Sequence, residues 1–241
     1  MTEASAPLVL LHEDRDVVAV DKPSGVPVIP ARGEDEGACL RKRLERQTGR
    51  RLWVVHRIDR DASGVVLFAR NAEAHRALSL AFEHRQVHKS YVAMVAGRLS
   101  PLAGRLDVAL HAARKGKTRP ATPGEPGAQA AVTEYATEQV WRLGEEDVSR
   151  VAASPLTGRH HQVRVHLRSA GAPILFDPLY GRGRGPSVLA DAPASRLALH
   201  AARVDVPSPS GDRRLVVECP LAADLAALVE WLDARDEANG A

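Results

Sequence analysis

The chain has 241 residues, 44% hydrophobic and 26% charged, with a formal net charge of +3, a length that buries about 70 to 75 per cent of the unfolded surface without staples. Its two cysteines, Cys39 and Cys219, lie far apart and outside any Cys-x-x-Cys pattern, which argues against a disulfide framework or a cysteine zinc site and for two buried apolar residues in a reducing compartment. No apolar run approaches the roughly 18 residues of a membrane helix, and the N-terminus lacks a basic segment followed by an apolar core, so a cytoplasmic protein with no membrane partner is expected.

In chain order, Leu8 to Leu11 and Val17 to Val20 read as short strands joined by the polar turn His12 to Asp16, with Pro23 and Gly25 ending the pattern. Leu40 and Leu44 at helical spacing predict a short surface helix from Ala38 to Gln47 that ends near Gly49. Trp53 to Arg70 then sets a strand and a strongly polar turn against a second strand, with Asp59 between Arg57 and Arg60. Loops between rigid strands commonly carry chemistry, and an Asp beside guanidinium groups stays ionised and can serve as nucleophile or base. For the isolated segment, an ordinary charged turn over Asp61-Ala62-Ser63-Gly64 is an equally good reading.

Asn71 is a natural N-cap for a helix in which Ala74, Leu78 and Phe82 recur every four residues. Strands follow at Tyr91 to Ala96, Ala131 to Trp141 and Val148 to Ala153, and Leu221, Leu225, Leu228, Val229 and Leu232 mark an amphipathic C-terminal helix. The intervening stretch Ala112 to Gln129 is rich in Gly, Pro, Lys and Arg without apolar period, which predicts a mobile basic loop. Charge is uneven as well. From residue 85 to 119, Arg85, Lys89, Arg98, Arg105, Arg114, Lys115, Lys117 and Arg119 stand against one acid, Asp107, whereas the tail from Pro220 is acidic. Part of the surface therefore suits anions, although the net charge alone does not establish a nucleic-acid partner. Runs of strands with interspersed helices indicate an α+β protein with much antiparallel pairing.

Five segments, in order, carry a family resemblance. His56-Arg57-Ile58-Asp59-Arg60-Asp61-Ala62-Ser63-Gly64 resembles the His-Arg-Leu-Asp-x-x-Thr-Ser-Gly motif of the RluA-type pseudouridine synthases, with Ile58 for Leu and Ala62 for Thr. Asp21-Lys22-Pro23-Ser24-Gly25 is similar to the family's Lys-Pro-x-Gly loop, and Lys89 to Gly97 to its Lys-x-Tyr-x-Ala-x-Val-x-Gly strand. Thr157 to His166 resembles the Thr-Gly-Arg-x-His-Gln-x-Arg-x-His block, and Leu199-His200-Ala201 the late Leu-His-Ala strand.

The resemblance implies a single pseudouridine synthase-like catalytic domain over residues 1–241, in which two subdomains share a long, mixed, mostly antiparallel sheet with flanking helices and a central cleft. No separate N-terminal RNA-binding domain is expected. The implied activity is isomerisation of specific uridines in ribosomal or transfer RNA, without metal or cofactor. Asp59 is then the catalytic carboxylate, Arg164 the arginine that pairs with it, and Tyr91 the ring that stacks on uracil. Arg57, Lys22, Arg159, His161 and Gln162 are expected to line or brace the cleft as substrate-binding groups, and Arg114, Lys115, Lys117 and Arg119 to meet phosphates. The expected substrate is a structured stem-loop whose uridine is flipped out, bound by a monomer. The chain departs from the pattern at His160, where the family has Ser or Thr, and at Phe176, where it has Gly.

Two other classes compete. A metal-dependent hydrolase is suggested by ten histidines, but no His-Glu-x-x-His occurs and the carboxylates do not cluster with them. A non-catalytic RNA-binding module would explain the basic stretch, but has no need of Asp59, Tyr91 and Arg164 as a set.

Overall fold

The structure, a computed structural model, describes residues 6–30, 36–181, 189–211 and 213–240, without the side chains of Lys115 and of 237–240. In chain order the elements are β1 (Leu10–Glu13), β2 (Val17–Lys22), α1 (Leu40–Thr48), β3 (Trp53–Val54), β4 (Ser63–Ala69), α2 (Ala72–Glu83), β5 (His88–Ala96) and β6 (Ala103–Asp107). After them come β7 (Leu110–Ala112), β8 (Thr118–Pro120), β9 (Val132–Leu143), β10 (Glu146–Pro155), α3 (Gln162–Ser169), β11 (Leu199–Pro207), β12 (Arg214–Glu218) and α4 (Ala223–Gly240). The fold is α+β with mostly antiparallel pairing, as expected. The chain divides into two compact units, Met1–Val87 with Ala201–Pro220 and His88–His200 with Leu221–Ala241.

In the first unit β2 is paired antiparallel to both β1 and β4, β3 adds two residues to β4, and β12 pairs with β11. Every side chain of β4 and nearly every one of β2 is buried, so these strands read as continuous apolar runs rather than alternating ones. Asp14 shapes the β1–β2 turn by accepting the N–H groups of Asp16 and Val17. Asn71 acts twice: its Oδ1 accepts from the Ala74 N–H to cap α2, and its amide donates to Asp16. One side chain thus fixes where α2 starts and ties it to the opening hairpin. Ala74 and Leu78 are buried as the spacing predicts, with Ala81 beside them and Phe82 half-buried. Helix α1 buries Leu40 and Leu44 and ends on Gly49 in the left-handed region at φ 65, which a residue without Cβ adopts without strain.

The second unit centres on β10, antiparallel to β5 on one side and to β9 on the other, with β6 paired to β9. Helix α4 buries Leu225, Leu228 and Leu232, and its Asp233 accepts from Gln139 Nε2 and Trp141 Nε1 of β9 at 2.7 Å each. The acidic tail is therefore partly a structural contact.

The basic stretch differs from the mobile loop its composition suggests. Strands β7 and β8 form a hairpin with Leu110 opposite Pro120 and Ala112 opposite Thr118. The Thr118 N–H donates to the Tyr180 hydroxyl. Arg119 pairs with Glu125, which also accepts from the Thr122 N–H, and Arg119 and Thr122 hold the Glu125 carboxyl down to about 2. Local polar contacts organise this segment, and these leave no hydrophobic period to read. Helix α3 was not apparent in the sequence at all. Gln162 to Leu167 are all buried, so no polar face prints a helical period, and the alternation of Val163, Val165 and Leu167 conceals the turn.

Gly64, at the start of β4, has φ +112, and a Cβ there would lie 2.2 Å from the Ala201 carbonyl oxygen of β11. Gly64→Ala combines backbone strain with overpacking, each about 1–3 kcal/mol, and is expected to lower the melting temperature by about 5–20 °C. A circular dichroism melt within about 2 °C of the parent would refute this close approach as a constraint.

Candidate active site

Asp59 sits half-buried in the loop between β3 and β4, where the Ala62 N–H donates back to its carbonyl. A second loop clamps this one. Lys22 is fully buried, and its Nζ donates to the carbonyl oxygens of Pro23, Val26 and Arg60 at 2.8 to 2.9 Å. The Gly25 N–H donates to the Arg60 carbonyl, Arg60 Nε to the Gly25 carbonyl, and Ser24 Oγ to the Asp61 carbonyl. An ammonium has three hydrogens to give, and here three carbonyls take them. Lys22, expected to meet substrate or brace, is a brace. From behind, the Leu67 N–H donates to His56 Nε2 at 2.9 Å, and the ring stacks on Phe82 of α2 at 5.0 Å. That bond places the proton of neutral His56 on Nδ1. Arg57 is exposed.

In the second unit Tyr91 lies half-buried near the start of β5, opposite Ala153 of β10. The turn into α3 is held by Gln162, whose Oε1 accepts from Thr157 Oγ1 and the Arg159 N–H while Nε2 donates to the Val132 carbonyl and Thr133 Oγ1. All of its capacity is spent on protein, so Gln162 braces too. Arg159 is half-buried and donates through Nε to the Ala130 carbonyl. His161 precedes α3 in the left-handed region at φ 53, with Nδ1 2.8 Å from the Tyr180 hydroxyl and its ring stacked on His160 at 3.6 Å.

Arg164 forms a buried fork with Asp177, Nε to Oδ2 at 2.8 Å and Nη2 to Oδ1 at 2.7 Å. Asp177 also accepts from the Leu179 and Tyr180 N–H groups. Burial pushes the Asp177 carboxyl up, but Arg164 and these N–H groups outweigh it and hold the group below the usual carboxylate range. The motif marked Arg164 alone, and Asp177 lies outside the five motif segments. Next to it Phe176 takes φ 57, so the turn keeps a left-handed residue although no glycine is present.

His166 is engaged from both nitrogens. Nε2 donates to the Val108 carbonyl at 2.9 Å, so Nδ1 accepts from Thr133 Oγ1, also at 2.9 Å, and burial lowers the affinity of the ring for a proton. Among the described residues no three His, Cys, Asp or Glu side chains gather as metal ligands. Of the basic hairpin residues, Arg114 and Lys117 are exposed, Arg119 is held by Glu125, and the side chain of Lys115 lies outside the described residues.

The family model for RNA pseudouridylate synthase matches residues 16–169, a span that contains Lys22, Asp59, Tyr91 and Arg164. Over 213 residues the chain is 34% identical to the dual-specificity RNA pseudouridine synthase RluA of Escherichia coli K12, covering 88% of this chain and 93% of that protein. Over 216 residues it is 33% identical to the ribosomal large subunit pseudouridine synthase C of Vibrio cholerae, covering 90% of this chain and 66% of that protein. The solved structure of human RNA Pseudouridylate Synthase Domain Containing 4 aligns with a TM-score of 0.75 at 25% identity, over 93% of this chain and 92% of that one.

Two predictions follow from the braces. Lys22→Met strands three carbonyls, at about 1–3 kcal/mol for each one left unsatisfied. The variant should lose about 3 kcal/mol or more in denaturant unfolding, with faster exchange of the Gly25 amide, and unchanged exchange at Gly25 would show that the two loops are joined by other means. The second concerns acid. His166 has a lowered folded pKa, so its contribution is present above the unfolded value of about 6.5 and is lost as pH falls below it. Asp177, also lowered, contributes above about 4 and loses that contribution at more acid pH. Urea midpoints should therefore fall in two stages on acidification, the first missing in His166→Gln. A first stage that persists in that variant would assign it to another group.

Proposed function

Because the chain belongs to the RNA pseudouridylate synthase family and is accordingly an isomerase of RNA, we propose that it converts specific uridines of ribosomal RNA, transfer RNA or both to pseudouridine, with Asp59 as the catalytic carboxylate. The observation that carries the assignment is the position of Asp59 in a loop clamped by the spent ammonium of Lys22. A loop carboxylate gains catalytic value when its backbone is held before substrate arrives.

The reaction breaks the bond from ribose to uracil nitrogen 1, turns the base, and rejoins it through carbon 5, whose proton is finally exchanged for one on nitrogen 1. Asp59 acts at the sugar, either by attacking the anomeric carbon or by removing the adjacent ribose proton. Tyr91 stacks on the base and keeps the detached uracil from escaping, its hydroxyl near the carbon 5 proton. Arg164 supplies a fixed positive charge, because its fork to Asp177 prevents the guanidinium from swinging away. Arg57, Arg159 and His161 contact the nucleotide, while Arg114, Lys115, Lys117 and Arg119 offer charge to the RNA backbone.

The names of the relatives span dual specificity and the large ribosomal subunit, which supports ribosomal RNA among the substrates, and the target within the proposal is an unpaired uridine in a stem-loop. A monomer acting in the cytoplasm completes the proposal. Each group the chemistry requires is a side chain, so turnover on an RNA that folds without magnesium should survive extended chelation.

Asp59→Asn should cut turnover by a factor of about 10² to 10⁴ or more with little change in RNA affinity, read as tritium released from RNA labelled at uracil carbon 5. Turnover retained within about tenfold would remove Asp59 from the chemistry. The modified position is found by mapping pseudouridine in total RNA from cells with and without the gene.

A further inference from the structure

We propose that Lys89 binds a backbone phosphodiester flanking the reacting uridine, so that β5 presents one side chain to the base and another to its phosphate. The inference rests on the function proposed above and adds a contact that the assigned residues do not include.

Strand β5 begins exposed at His88, is half-buried from Lys89 to Val92, and becomes fully buried at Ala93 to Val95. Alternation puts Lys89, Tyr91 and Ala93 on one face, with about 6.8 Å between successive members. A base resting on Tyr91 therefore has fully buried strand on the Ala93 side and the partly open start of β5 on the Lys89 side, the side on which we place the flanking phosphate.

Lys89 differs from the other enclosed cations. Lys22 gives its three hydrogens to carbonyls, and Arg164 is forked to Asp177. The ammonium of Lys89 has neither a hydrogen bond nor an ion pair among the described residues, although it is half-buried and burial lowers its hold on a proton. A desolvated charge without a partner is costly, and folds retain such groups where a ligand supplies the counter-charge. The approach to it is also shaped. A Cβ built on Gly158 would lie in ordinary contact with Nζ, 3.7 Å away, so a side chain at this position would stand beside the ammonium. The flanking Thr157 and Arg159 are pinned by Gln162, which fixes the opening in place.

The test compares parent, Lys89→Met, Lys89→Arg and Gly158→Asp, using a hairpin RNA with a uridine-containing loop as probe and measuring affinity against salt, thermal stability and turnover. Lys89→Met should weaken binding about tenfold and reduce the salt slope by about 0.7 to 1. KM should rise with kcat largely kept, and the melting temperature should hold or rise because an unpaired buried cation is gone. Gly158→Asp should imitate it by placing a carboxylate beside Nζ. Lys89→Arg should keep the slope and retain affinity at alkaline pH where the parent, with its weakened ammonium, loses it. Parallel salt lines for parent and Lys89→Met, or a lowered melting temperature with an unchanged slope, would overturn the proposal and make Lys89 a solvated or structural cation. If the parent isomerises uridine while those lines are parallel, only this inference falls. Failure of the parent to isomerise any uridine strikes instead at the function, and the salt slope still decides the phosphate contact.

Discussion

The three hydrogen bonds of the buried Lys22 ammonium are the contact on which the Asp59 loop depends. Removing a charge from water costs several kcal/mol even after relaxation, and hydrogen bonds to a charged group return about 1.5–3 kcal/mol each. Three of them, to Pro23, Val26 and Arg60, together return an amount of the same order as the cost. The arrangement is accordingly all-or-none: the carbonyls converge only if both loops are in place, and the lysine is tolerated only if they converge. That mutual dependence makes two irregular segments behave as one rigid piece.

The second unit solves the same problem with a chain of neutral groups. Gln162, Thr133 and His166 pass hydrogen bonds from the turn before α3 to the Val108 carbonyl. Each donor has one acceptor, and the chain fixes the histidine tautomer as a consequence. Such networks stiffen a core when fully satisfied and weaken it when a member is lost. Arg164 and Asp177 add the charged counterpart. Burial opposes the charge on Asp177, Arg164 does most to overcome it, and the N–H groups of Leu179 and Tyr180 add to that effect, so arginine and carboxylate hold each other.

Much of this was legible in the residues, and the failures have physical causes. The opening hairpin, the Asn71 cap and the stripe of α2 are local, set by side chains within a few positions of the backbone they control. Asp59 and Tyr91 were marked by motif, and the motif correctly placed one in a loop between strands and the other on a strand. Three features were hidden. Helix α3 has no polar face, the β7–β8 hairpin is held by polar contacts such as Tyr180 to Thr118, and the partner of Arg164 lies 13 positions away. None leaves a hydrophobic period, which is what a single sequence displays best.

Motif matching also cannot tell a brace from a contact, because both stand as polar residues in the same motif segments. Lys22, Gln162 and Arg159 all stand in motif segments, yet the first two have every donor and acceptor committed to protein. Phe176 shows the converse. A bulky residue at φ 57 costs about 1–2 kcal/mol relative to glycine, and the turn keeps that geometry because the Asp177 carboxylate collects the N–H groups of Leu179 and Tyr180 immediately after it. The hydrogen bonds over-determine the backbone, so the departure from glycine alters the strain without altering the path. Whether a polar residue of this chain has hydrogen-bonding capacity left for a ligand is thus a property of the folded neighbourhood and not of the residue type.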